Sequence, residues 1–220
     1  MRWLNETRNK FVGLKTSLIN KVHSLAVSRG WKLRRESLAS KKGLAAVEQL
    51  EWTAIERVEL EIIIEQINAL KESLKRLDEA IEEAGARLAG FENLITMTGI
   101  GARSASVLLS VIGSVEDFES ESKLAAYFGI VPRVANSNER VNHGRITKRG
   151  SKTGRTTLVQ CALVAIRYNP YLKKYYEQVK VRRGHGKAKI AAARKYLTII
   201  YNTLKNNWVF EDFNNFVLAE

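Results

Sequence analysis

The residue best placed to do chemistry in this chain is Ser137, because five cations share its short stretch. Between Gly129 and Gly150 stand Arg133, Arg140, Arg145, Lys148 and Arg149 against one acid, Glu139. A hydroxyl among guanidiniums suits phosphoryl transfer: the alcohol attacks in line while the cations neutralise charge developing on the phosphate oxygens. The same residues also describe a solvated basic loop, and composition alone leaves both readings open. Ser151 is a competing hydroxyl, but it follows Gly150 at a helix start, where serine caps backbone amides. Other chemistries lack their residues. His23, His143 and His185 lie far apart, and the single cysteine, Cys161, sits in the apolar run from Leu158 to Ile166. That pattern offers no metal-ligand spacing and no disulfide, and it reads as a buried structural thiol. No glycine loop with a lysine for nucleotide phosphates occurs either.

The elements that must hold this stretch are helical. No apolar period survives from Val134 to Asn142, so the stretch itself is a loop or a short hairpin. Before it, Leu94 to Leu109 reads as a short helix, the turn Gly99-Ile100-Gly101 and a second helix. That spacing resembles a helix-hairpin-helix, whose open amides can take a backbone phosphate with Arg103 beside them; a plain packing hairpin is the competing reading. A further helix runs from Phe118 to Phe128. After the loop, Thr153 to Arg167 is helical behind Lys152 and Arg155. Asn169 then caps a new helix with Pro170 at its first position, and Lys187 to Leu204 forms the last one. With no convincing alternation of period two, the chain is mostly α.

Charge divides the chain. The formal net charge is +13, and residues 133–195 hold 17 Lys and Arg against 2 acids, so this block carries +15 and the remainder −2. A localised field of that sign attracts polyanions, nucleic acid foremost. Residues 1–46 form a basic helical segment with a polar connector from Trp31 to Gly43, while residues 47–90 carry 11 acids and 5 basic residues. In that acidic arm Leu60, Ile63, Ile67, Leu70, Leu74, Leu77, Ile81, Ala84 and Leu88 alternate spacings of three and four. This is a heptad seam and predicts a long coiled-coil arm from Val47 to Leu88. Pairing between subunits, as a homo-oligomer, is the favoured use of the seam, and packing on the chain's own domain is the alternative. No lipidation signal, secretory signal or long apolar span is present, so no membrane role is expected and the chain reads as cytoplasmic.

These landmarks together resemble a known family. Thr98-Gly99-Ile100-Gly101, Leu124 to Pro132, Ser137, Gly144 to Gly150, Arg155, Arg167-Tyr168-Asn169-Pro170, Tyr175-Tyr176 and Ala188 to Ala193 occur in its order. They are similar to the C-terminal transposase domain of the insertion-sequence family called IS one-ten, with its eleven-eleven branch and the Piv-type DNA invertases. The similarity covers roughly Gly90 to Trp208, so residues 91–220 are read as the serine-bearing domain. It implies a site-specific DNA recombinase in which a separate RuvC-like domain with four acids binds divalent metal, magnesium. The C-terminal domain then supplies the nucleophilic serine. It also implies DNA and a structured RNA as partners. The family shows Ser-Ser-Gly where this chain has Asn136-Ser137-Asn138, so Ser137 alone carries over as the catalytic residue. Gly99, Gly101, Arg103, Arg133, Arg140, Arg145, Lys148, Arg149, Lys152 and Arg155 are the expected phosphate contacts.

The similarity starts beyond the acidic domain, so no metal set is expected in this chain and no chemistry without that domain. A non-catalytic nucleic-acid-binding fragment and a coiled-coil inhibitor of full-length transposase are the alternative functions.

Overall fold

A computed structural model describes the backbone of residues 1–137 and 140–209, and the side chains of that range outside 134–143. It divides into two compact units, Trp3–Ala80 and Ile81–Glu220 with Met1–Arg2. As expected, the described residues are mostly helical.

In the first unit α1 (Arg2–Ser28) ends at a turn where Gly30 takes φ 83°, the left-handed region that glycine enters without penalty. The connector expected after it folds into a short 3-10 turn (Arg35–Ala39) and α2 (Lys41–Glu48), which Ser40 caps by accepting from the Gly43 amide at 2.9 Å. The long arm does not start at Val47. The chain breaks after α2, and α3 (Ala54–Ala86) begins behind a reciprocal cap. Thr53 N donates to Glu56 at 3.0 Å while Glu56 N donates to the Thr53 hydroxyl at 3.4 Å. Thr-x-x-Glu is a capping box, a signal present in the sequence at residues 53–56. Within the break, Trp52 meets Trp31 edge-on at 4.6 Å and donates to the Val47 carbonyl at 2.9 Å.

Part of the heptad seam packs on α1 of the same chain, the alternative use expected of it. Leu60, Ile63 and Ile67 are buried in one cluster with Ile19, Val22 and Ala26 of α1. None of the other seam residues is exposed. The register is antiparallel, for Arg8 pairs with Asp78, Lys21 with Glu59 and Arg29 with Glu56. The reason lies in charge and hydrophobicity together. A basic helix and an acidic helix with matching apolar stripes sit on one chain, joined through the 3-10 turn and α2. Their effective concentration therefore favours the internal pair.

The second unit is built on α9 (His185–Lys205), which packs against α4 (Phe91–Ile95), α6 (Glu121–Tyr127), α7 (Lys152–Tyr168) and α8 (Pro170–Arg183). Ala188, Ala192 and Ala193 are fully buried, and these small residues let neighbouring backbones come close. Farther along, Tyr196 is fully buried and donates its hydroxyl to the Thr98 carbonyl at 2.8 Å, and burial holds its phenol pKa far above the ordinary value. α5 (Ala102–Ile112) packs on α4 and α7, and Cys161 of α7 is buried, its thiol pKa raised by desolvation. Asn169 caps α8 by accepting from Leu172 N at 3.0 Å, with Pro170 first in the helix. Between α6 and α7 the chain forms one antiparallel hairpin, β1 (Pro132–Ser137) and β2 (Arg140–Ile146).

The Arg29–Glu56 pair ties the two long helices and should make the first unit acid-sensitive. Hydrogen bonds from Arg29 and then Thr53 lower the Glu56 pKa from 4.5 to about 2. A carboxylate depressed on folding contributes stability above its unfolded pKa, and that contribution fades as pH falls toward the folded value. Urea midpoints followed by tryptophan fluorescence should therefore drop between about pH 4.5 and pH 2. In Glu56→Gln the fall across this window should be smaller.

Candidate nucleic-acid interface

The ends of the hairpin are fixed by a clasp of glycines and one arginine. Gly129, at φ 68°, and Gly150, at φ 91°, bring the exit of α6 against the entry of α7. A Cβ on Gly129 would lie 2.0 Å from the Arg149 carbonyl, and one on Gly150 would lie 2.0 Å from the Tyr127 carbonyl. Lys148 N donates to the Gly129 carbonyl at 3.0 Å and Thr147 N to that of Val131 at 2.9 Å. The Arg155 guanidinium then spans both sides, donating to the carbonyls of Phe128 at 3.2 Å and Lys148 at 3.3 Å. Lys148 itself takes φ 56°, uncommon outside glycine, so the clasp holds its side chain in an exposed, strained bend.

Above the clasp the ladder slips. Pro132 pairs with Ile146, but Val134 pairs with His143, so Gly144 and Arg145 together face Arg133. Such a bulge kinks a strand and re-aims its side chains. Arg133 is exposed and reaches the Thr147 carbonyl at 3.5 Å, and Arg145 is exposed as well.

The base of the hairpin, α8 and α9 enclose a groove of about 940 Å³. Six cations line it: Arg145 and Lys148 from the hairpin, Arg183 from α8, and Lys187, Arg194 and Lys195 from α9. No acid lines it. Its floor is apolar, with Ile130, Ile146, Val179 and Ile190 beside Tyr175. Lys180, Arg182 and Arg183 occupy the last turn of α8, where cations complement the helix dipole. Lys195 lies 5.5 Å from the ring centre of Tyr171, a cation–π contact that orients it. A groove of one charge sign, drawn from three elements, is the footprint of a polyanion site.

Comparison with known proteins agrees with that footprint. Residues 91–177 match the family model described as Transposase IS116/IS110/IS902 family. That segment is similar to this transposase family. The chain is 27% identical over 213 residues to the transposase for insertion sequence element IS1111A of Coxiella burnetii, covering 91% of this chain and 57% of that protein. It is 27% identical over 171 residues to a probable family 20 transposase of Pseudomonas aeruginosa, 74% of this chain and 50% of that one. A pilin gene-inverting protein of Moraxella lacunata is 34% identical over 125 residues, 54% of this chain and 38% of the other. The chain thus spans no more than 57% of the length of any of these three. No helix of the described residues is long and apolar enough to cross a membrane.

Within the matched segment the sequence-predicted residues fall into three places. Ser137 ends β1 and pairs with Arg140, the first residue of β2. The side chains of both lie outside the described residues. Five residues of strand separate Ser137 from Pro132, roughly 16 Å at the usual rise. Lys148, Arg149 and Arg155 are therefore neighbours of Ser137 in sequence but sit at the opposite end of the hairpin. Lys152 is exposed in the first turn of α7 near this clasp, and Ser151 accepts from Gly154 N at 3.1 Å, as a helix cap does.

The third place is the turn of Gly99 and Gly101. Gly99, at φ 97°, sits so close to α7 that a Cβ would lie 2.7 Å from the Cys161 carbonyl. Gly101 is exposed and precedes α5 with no side-chain cap, and Arg103 is half-buried in the first turn. From Arg155 to Cys161 is six residues of helix, so this turn lies roughly 9 Å farther along the α7 axis than the clasp. The cations of α8 and α9, absent from the sequence-predicted contacts, are the larger part of the groove. The basic run from Lys180 to Lys195 was their signal in the sequence.

The clasp predicts a steep cost for small changes. Gly129→Ala or Gly150→Ala should destabilise the second unit by more than about 1 kcal/mol, since each adds a positive-φ penalty to a backbone collision. Gly184→Ala shares a positive φ, 79°, but meets nothing within 4 Å, and should cost less. Thermal unfolding followed by circular dichroism ranks the three.

Proposed function

We propose that this chain is the DNA-binding, serine-bearing part of a transposase or site-specific recombinase. The observation that supports this most is the groove lined, among the described residues, by six cations and no acid, beside the hairpin of a segment similar to a transposase family. Phosphates on the rim would position a DNA strand, and the hairpin would present Ser137 to it. The relatives' names support the activity, since they include transposases and proteins that invert pilin genes. The exposed Gly101 turn at the start of α5 is a second phosphate contact in this reading, through backbone amides with Arg103 nearby. A structured RNA from the element is a further partner on the same basic surface.

In the reaction the Ser137 hydroxyl oxygen bonds to phosphorus and the bond from phosphorus to one deoxyribose oxygen breaks. The serine proton passes to solvent or a base, and the departing oxygen takes up a proton as a free hydroxyl. Arg140, adjacent in register, is the cation best placed along the hairpin to neutralise the developing charge. Among the described residues no three His, Cys, Asp or Glu side chains gather as a metal site needs. The family's magnesium belongs to its acidic domain, which would act together with this chain.

Binding to duplex DNA should weaken steeply with salt, because each neutralised phosphate releases counterions. Replacing Arg194 and Lys195 with Ala should lower the slope by roughly one for each phosphate no longer neutralised, and a flat dependence in the wild type would overturn the groove assignment. Combined with a family acidic domain and magnesium, the chain should trap a covalent DNA adduct that Ser137→Ala abolishes and Ser151→Ala keeps. Binding that persists without an adduct under any pairing would leave a binding-only protein.

A further inference from the structure

We infer that the groove takes unpaired bases of single-stranded DNA against its apolar floor, with the strand's phosphates on the basic rim. The inference rests on the proposed DNA-binding reading and narrows the form of DNA that the groove holds. Its origin is a mismatch between rim and floor. A surface that only tracks a duplex needs cations at phosphate spacing and gains nothing from an oily base, because paired bases keep their faces stacked on one another. Here the cations stand around Ile130, Ile146, Val179 and Ile190, with Tyr175 as the aromatic among the lining residues. Ile130 and Val179 belong to the core itself, so the floor is the hydrophobic core opening to the surface.

Volume and charge select the occupant. About 940 Å³ lies at the upper end of the range of pockets that enclose planar organic ligands. A lipid or apolar peptide would fill the floor but leave six cations without counter-charge. A nucleotide supplies both halves: an anionic phosphate at the edge and a flat, weakly polar face for the base. Only an unpaired strand can turn its bases inward, and base-on-aromatic stacking is tolerant of sequence. Half-buried Tyr175 lines the groove one helical turn before Val179 and is the stacking platform. DNA rather than RNA is the occupant because the relatives named above act as transposases and a gene-inverting protein, and strand exchange must free strands from their partners.

The test uses the full chain and fluorescence anisotropy on four equal-length probes at one salt concentration. They are a mixed-sequence DNA strand, the same strand with abasic sites throughout its centre, its hairpin duplex, and the RNA strand. Binding of the intact DNA strand should exceed that of the abasic strand by about tenfold or more. Tyr175→Ala should remove that difference, and Tyr175→Phe, which keeps the ring, should preserve it. Duplex affinity should change by less than about twofold in both variants, which also shows that they remain folded. Equal binding of the intact and abasic strands overturns this inference while leaving the basic groove as a duplex site. Preference for the RNA strand by tenfold overturns DNA as the occupant. No binding of any probe at low salt overturns the DNA-binding reading itself.

Discussion

Everything functional in the second unit depends on the contact between two glycines and two carbonyls at the foot of the hairpin. Gly129 and Gly150 let the backbone leaving α6 and the backbone entering α7 touch, at separations where any Cβ would collide. Arg155 then bridges the same two segments by donating to Phe128 and Lys148. A guanidinium suits this task because its donors are planar and fixed in direction, so two carbonyls on different segments can be held at once. The cost is that this cation is engaged with the protein. Its neighbours Lys148 and Arg149 stay exposed, and the clasp decides where they stand.

The groove follows from that clasp and from the alanines of α9. With Ala188, Ala192 and Ala193 packed inward, Lys187 and Arg194 fall on the exposed side of the same helix and Lys195 on its half-buried edge. One helix thus serves as core on one face and as wall on the other. The bulge residues Gly144 and Arg145 line the groove opposite that helix's cations. Six like charges brought together without an acid repel one another, and the fold tolerates them because the side chains reach into water. Such an arrangement lowers stability a little and suits a surface made to meet phosphates.

The first unit resolves its charge differently. Its basic α1 and acidic α3 neutralise each other through three ion pairs, and Leu60, Ile63 and Ile67 bury against α1. Exposed pairs of this kind contribute little energy singly, so the apolar stripe holds the helices and the charges choose antiparallel over parallel. Opposite charge blocks that look like two functions in the sequence are two sides of one structural element.

Several features were set by the sequence alone. Helix limits followed from local chemistry: Gly30 stops α1, Asn169 and Pro170 start α8, Ser151 caps α7, and the Thr53–Glu56 box starts α3. The transposase-family landmarks, the basic block and the hairpin with Ser137 at its tip were likewise readable, because each rests on neighbours within a few residues. Tertiary structure decided the rest. That Leu60, Ile63 and Ile67 of the heptad seam pack on α1 depended on a partner some 40 residues away, which periodicity cannot identify. Sequence proximity grouped Ser137 with Lys148, Arg149 and Arg155, but an antiparallel strand pair carries its tip away from its base at about 3.3 Å per residue. The groove joined cations separated by up to 50 positions, from Arg145 to Lys195, because α8 and α9 fold back beside the hairpin. Local spacing fixes helices and turns; which charges share one surface is fixed only when the core closes.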